Sequence, residues 1–128
     1  MKRNLAKGPT RFLATPLPGS TGFLSQVFLA TRKGDPRRYI LKVGNDLPAH
    51  RVFSRELAAY RLLEPLQGKL SPRLHAGTST EGGANGLLLL EEIRHARNPD
   101  QLQGLSQSDL AAAARGIAQI HARFWNSP

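Results

Sequence analysis

Lys42 is the one charged residue in the run Tyr39-Ile40-Leu41-Lys42-Val43. A lysine set into a half-buried surface loses hydration and tends to lose its proton unless a carboxylate stands beside it. Glu56, in the first half of the helical stretch that follows, is the candidate partner. Upstream, Pro18-Gly19-Ser20-Thr21-Gly22-Phe23 offers glycines that let backbone approach a ligand without Cβ obstruction, and Ser20, Thr21 and Ser25 add hydroxyl donors. A rigidly placed cation and close-approaching N–H groups are what a nucleoside triphosphate asks of its site. Each feature also has a plainer reading. Lys42 could snorkel at a strand edge, Glu56 could pair with an arginine of its own helix, and the glycine segment could be an ordinary hairpin turn.

The elements that must position these groups follow from punctuation and period. Two apolar stretches, 26–32 and 38–43, flank Lys33-Gly34-Asp35-Pro36 and predict an antiparallel hairpin. In that turn Gly34 tolerates positive φ, Asp35 can bond its own backbone and Pro36 presets φ. Neither face of 26–32 is clearly polar, so this strand is expected to be covered on both sides. From about 51 to 66 the apolar residues Phe53, Leu57, Tyr60 and Leu63 recur at helical spacing. Stretches 74–80 and 86–93 read as a second strand pair around a Gly-rich loop, and Leu87-Leu88-Leu89-Leu90 suits a strand buried on both faces. After a polar linker, Ser106 or Ser108 can cap a last helix reaching about residue 125. The order is two or three strands, a helix, two strands, a linker and a helix, without repeats.

Composition narrows the function classes. The 128 residues suit one compact domain, and an apolar fraction of 40% argues against wholesale disorder. No apolar run approaches a membrane span, and Lys7, Pro9 and Arg11 interrupt anything that could serve as a signal peptide's apolar stretch. With no cysteine there is no disulfide framework, thiolate metal site or cysteine nucleophile, and a cytoplasmic setting is the default. Eighteen Lys and Arg against nine Asp and Glu give a formal charge of +9, which attracts polyanions and keeps a nucleic-acid-binding module as an alternative. The basic residues are scattered, however, and aromatic residues supply only 6%, so no stacking platform is evident.

The glycine segment at 18–23, Tyr39-Ile40-Leu41-Lys42-Val43, and Arg55-Glu56-Leu57-Ala58-Ala59-Tyr60-Arg61-Leu62-Leu63 together resemble the start of the aminoglycoside phosphotransferase family. Leu70-Ser71-Pro72-Arg73-Leu74, Leu88-Leu89-Leu90-Glu91-Glu92-Ile93 and Ile120-His121-Ala122-Arg123-Phe124-Trp125 look like its choline kinase-like and ecdysteroid kinase-like branches. The resemblance runs from about 17 to 128 and rests on the order of motifs that are individually weak. It implies an α+β, protein kinase-like N-terminal lobe: an antiparallel sheet of about five strands with one packed helix. It also implies a division into an N-terminal extension at 1–16, an ATP-binding lobe at 17–93 and, at 94–128, a linker with the first helix of a second lobe. By the same resemblance Lys42, braced by Glu56, meets the α and β phosphates of ATP, and Gly19, Ser20, Thr21, Gly22 and Ser25 fold over them. Glu91-Glu92-Ile93 forms a hinge whose backbone matches the adenine edge, while Ile40 and Leu89 or Leu90 cover the base, although the four leucines also serve as core. The glycine segment reads G-x-x-G rather than G-x-G-x-x-G, which leaves open which N–H groups touch phosphate.

Phosphoryl transfer also needs an Asp to orient the acceptor hydroxyl and acidic groups to hold Mg²⁺. In the family these follow the 120–125 segment, and Asp100 and Asp109 match neither motif. The expectation is therefore a lobe truncated before its catalytic loop and inactive alone, with Mg²⁺ and a small-molecule hydroxyl acceptor engaged only by the full-length protein. A non-catalytic, pseudokinase-like regulatory domain is the further alternative. The stripe Leu110, Ala113, Ile117, Ile120 and Phe124 would pack on the second lobe. Without that partner the last helix should fold back on the sheet, self-associate or fray. His121 and Trp125 are expected to pack. His50, His75 and His95 lack a second ligand at metal spacing.

Overall fold

The computed structural model describes residues 11–18, 25–44, 47–79, 86–96 and 102–126. In chain order these form strands β1 (Phe12–Pro16), β2 (Gln26–Arg32) and β3 (Asp35–Gly44), helix α1 (Leu47–Leu62), strands β4 (Leu74–Ser79) and β5 (Gly86–Glu91), and helix α2 (Gln107–Phe124). The strands make one antiparallel sheet in the order β1-β2-β3-β5-β4. The molecule is thus α+β, with a five-stranded sheet and two helices. No helix among the described residues is long and apolar enough to cross a membrane.

The β2–β3 hairpin turns at Lys33 and Gly34, where Gly34 takes φ +79°. Asp35 enters β3 instead of staying in the turn, and its carboxylate accepts the Arg37 N–H at 3.0 Å, the local backbone bond its position invites. Because β3 lies between β2 and β5, its register fixes what the sheet presents: Lys42 stands opposite Val27 and Leu88, and Ile40 opposite Leu29 and Leu90.

Alternation along β5 divides the core into two layers. Leu88 and Leu90 pack with Phe53 and Leu57 of α1, joined by Ile40, Tyr60 and Leu74. Leu89 points the other way, into a smaller cluster with Ala30, Tyr39 and Leu41. The leucine run is therefore buried on both faces, as a central strand must be. In β2 only Ala30 is buried, so that strand has less cover than its sequence predicts.

α1 starts four residues before the predicted bound and ends before Pro65, which sits instead in a single 3-10 turn, Glu64–Leu66. Proline has no N–H to give and its ring collides with the carbonyl four residues back, so the α-helix stops there. The Gln67 side chain then donates to the Tyr60 carbonyl at 2.8 Å and accepts from the Leu74 N–H at 2.9 Å, tying the end of α1 to the start of β4.

Three expectations need correction. Residues 12–16, assigned above to an N-terminal extension, form an edge strand in register with 28–32. α2 is capped by Ser106, whose hydroxyl accepts the Asp109 N–H at 3.1 Å, and of the fates expected for it the return onto the sheet is not taken. None of its residues is buried, and Leu110 and Ile117 are more than half exposed. His121 and Trp125, expected to pack, are exposed, whereas Gly116, Ile120 and Phe124 of the same helix are partly covered and Gly116 lies beside the Leu70 side chain.

Candidate functional site

A β-strand sends alternate side chains to one face, so Ile40 and Lys42 share the face of β3 that α1 covers. On α1, residues 53, 56, 57 and 60 fall on one stripe by helical spacing. Phe53 and Leu57 anchor that stripe on the sheet and carry Glu56 to Lys42. The Lys42 ammonium donates to both carboxylate oxygens of Glu56, at 2.7 and 2.9 Å. Its nitrogen also lies 5.8 Å from the centre of the Phe53 ring, within reach of a cation–π attraction. Each side chain of the pair is 25% exposed. The ammonium is braced by a carboxylate on one side and keeps a wet side from which an anion can approach. Among the described residues Glu56 pairs with no arginine of its own helix. Burial raises the Tyr60 hydroxyl pKa, and the Glu56 charge adds to that shift.

The other predicted site residues divide into three groups. Ile40 lies on the Lys42 face, partly exposed. Leu90 shares that face but is buried beneath α1, and Leu89 is on the opposite face, so neither offers open surface to a base there. At the strand end, the Glu91 N–H is taken by the Arg73 carbonyl at 2.9 Å, and its carboxylate accepts the Arg73 N–H at 3.2 Å. Glu91 thus spends its amide on the protein, while Glu92 and Ile93 lie just beyond the β3–β5 ladder. Ile93 is 56% exposed. Ser25 is half-buried immediately before β2. Gly19, Ser20, Thr21 and Gly22 lie outside the described residues.

Two charged networks have no counterpart in the sequence reading. Asp35, with its side chain almost fully buried, accepts Nε and Nη2 of Arg37, both at 2.9 Å, and the Tyr39 hydroxyl at 2.8 Å, and it pairs with Arg32 at 3.2 Å. The Arg37 side-chain hydrogen bonds, followed by the Arg37 backbone N–H, hold its carboxyl far below the usual range. Glu92 is similarly held low, first by its hydrogen bonds from Arg38; it accepts Arg38 Nε at 2.8 Å and lies 3.5 Å from Arg94 Nε. These networks border a cleft of about 1020 Å³ at the strand ends, whose lining includes Glu91 to Arg94 but neither Lys42 nor Ile40. The one sequence hint of the cleft is the recurrence of arginine at 37, 38, 73 and 94, and its significance depends on pairings that only the fold supplies.

Among the described residues no three His, Cys, Asp or Glu side chains converge on a point that could hold a metal ion. Among the described residues the Lys42 face presents one ammonium and one carboxylate, and no carboxylate set of that kind. No family model, curated protein or solved structure matches the chain.

Proposed function

We propose that the chain is the ATP-binding lobe of a phosphotransferase acting on a hydroxyl of a small molecule, of the aminoglycoside and choline kinase type. The observation that carries this reading is the doubly hydrogen-bonded Lys42–Glu56 pair, strand to helix, on the α1 face of a five-stranded antiparallel sheet. A carboxylate on the neighbouring helix keeps the lysine charged and fixes its reach, which is what a phosphate-binding ammonium needs. Ile40 on the same face and the backbone of Glu92 and Ile93 would take the base, and Gly19 to Gly22 with Ser25 the phosphates. Bound ATP supplies the phosphoryl group. The part proposed for this chain is to hold and orient it through Lys42.

The test is equilibrium binding of a fluorescent ATP analogue to the wild type and to Lys42→Met and Glu56→Gln, with circular dichroism to show that each variant is folded. Folded Lys42→Met should lose binding, and Glu56→Gln should weaken it. Wild-type affinity in a folded Lys42→Met protein would end the proposal.

A further inference from the structure

The 1020 Å³ cleft opens where the start of β3, residues 68–73 and residues 91–94 meet. Arg37, Arg38, Lys69, Arg73 and Arg94 line it, against the carboxylates of Glu91 and Glu92. We propose that it binds a small ligand bearing two or more phosphate groups, at a site that excludes Lys42 and shares only residues 92 and 93 with the function proposed above.

The cations are unequally engaged. Arg38 donates Nε and Nη2 to Glu92, and Arg37 donates the same two atoms to Asp35. A guanidinium has five N–H donors, so both keep Nη1 for a ligand. Arg73 Nε stands 3.9 Å from Glu91 and Arg94 Nε 3.5 Å from Glu92, ion pairs too long for good hydrogen bonds. Lys69 is exposed and pairs with no carboxylate among the described residues.

The cleft is also prepared. Gly68 adopts φ +79°, and a Cβ there would meet the Arg73 guanidinium at 2.8 Å, so the missing side chain is the space in which that cation rests. Ser71, which lines the same cleft, has a buried hydroxyl without a hydrogen-bond partner. Orphaned buried hydroxyls are costly, and a nearby acceptor oxygen would satisfy this one.

Ligand size and charge follow from the same residues. The volume suits a small molecule. Tyr39, which also lines the cleft, is 5% exposed and in T-shaped contact with Phe12 and His75, so it offers no open face on which the bases of a nucleic-acid strand could stack. Glu91 and Glu92 repel a weakly charged anion, whereas a ligand with several charges can meet separate cations at once and outweigh that repulsion.

The experiment is amide chemical-shift mapping of the whole chain, titrated with inorganic phosphate, pyrophosphate, tripolyphosphate and sulfate. Pyrophosphate and tripolyphosphate should give saturable shifts at 68–73 and 91–94, tripolyphosphate binding tightest. Lys69→Gln, at an exposed unpaired side chain, should weaken binding about tenfold, the loss expected for one charged hydrogen bond, while the spectrum stays folded. Arg73→Gln should do at least as much. The proposal is overturned by any of three results: no saturable shift at 68–73, sulfate as effective as pyrophosphate, or shifts confined to Lys42 and Glu56. A single-stranded oligonucleotide outcompeting tripolyphosphate at equal phosphate concentration would also overturn it, in favour of a nucleic-acid groove.

Discussion

Gly86 lies so close under Phe53 that a Cβ on the glycine would stand 2.6 Å from Cβ and Cγ of the phenylalanine. Gly86 is opposite Gly44 in the β3–β5 ladder, and this floor without side chains lets α1 settle onto the sheet. The same contact sets how far Glu56, three residues further along α1, can reach toward Lys42. The close approach of helix and sheet and the ion pair are thus one piece of geometry.

Replacing Gly86 with alanine should therefore lift α1. The expected loss is about 1 to 3 kcal/mol, the usual cost of overpacking a tight core, read by urea denaturation. Phe53→Ala, which empties the site, should cost about 3 to 5 kcal/mol. A Gly86→Ala protein as stable as the wild type would mean that α1 sits higher than described.

The Lys42–Glu56 pair should contribute modestly to stability, because each partner is a quarter exposed. A double-mutant cycle with Lys42→Met and Glu56→Gln should give a coupling of about 1 kcal/mol. A coupling near zero would show that the two groups do not pair in solution.

Asp35 supplies a pH dependence. Its carboxyl titrates lower in the folded chain than in the unfolded one, because the Arg37 hydrogen bonds favour its charged form. The resulting stabilisation is fully present above the unfolded carboxylate pKa of about 3.9 and is lost as pH falls through the lower folded value. Glu92, also held low, acts in the same direction. In thermal melts Asp35→Asn should be less stable than the wild type at pH 7, and the gap should narrow steadily below about pH 4. A gap that stays constant or widens on acidification would show that Asp35 is not the anion of this network.

The apolar stripe of α2 should drive self-association. Leu110 and Ile117 are 59% and 55% exposed, and fully burying such a side chain is worth about 1.5 to 3 kcal/mol. Sedimentation equilibrium should show mass rising with concentration, and Ile117→Glu should suppress the rise. A monomer at every concentration would refute this role for the stripe.

What could be read in the sequence was what local signals encode. The β2–β3 hairpin follows from Gly34 and Asp35, the body of α1 from the 53-57-60 spacing, the double burial of β5 from its leucines, and the start of α2 from Ser106. The Lys42–Glu56 pair was legible because a half-buried lysine needs a carboxylate and the family resemblance points to one on the following helix. β1 was missed because Phe12 to Pro16 has little pattern of its own and gains strand structure only from pairing with β2. The Asp35 network and the basic cleft were missed because they bring together residues 35–39, 68–75 and 91–94 through the sheet order. No window along the chain contains them. The exposure of Trp125 and His121 was misjudged because helical periodicity shows which face is apolar and says nothing of what covers it.

The most direct measurement of the central claim is a titration of ATP into isotopically labelled protein, following every assigned amide in the wild type and in Lys42→Met. The account predicts saturable shifts around Ile40, Lys42 and Glu56 that vanish in the variant, whatever shifts the 68–73 cleft shows. Unchanged shifts in Lys42→Met, or shifts confined to the 68–73 cleft, would contradict it.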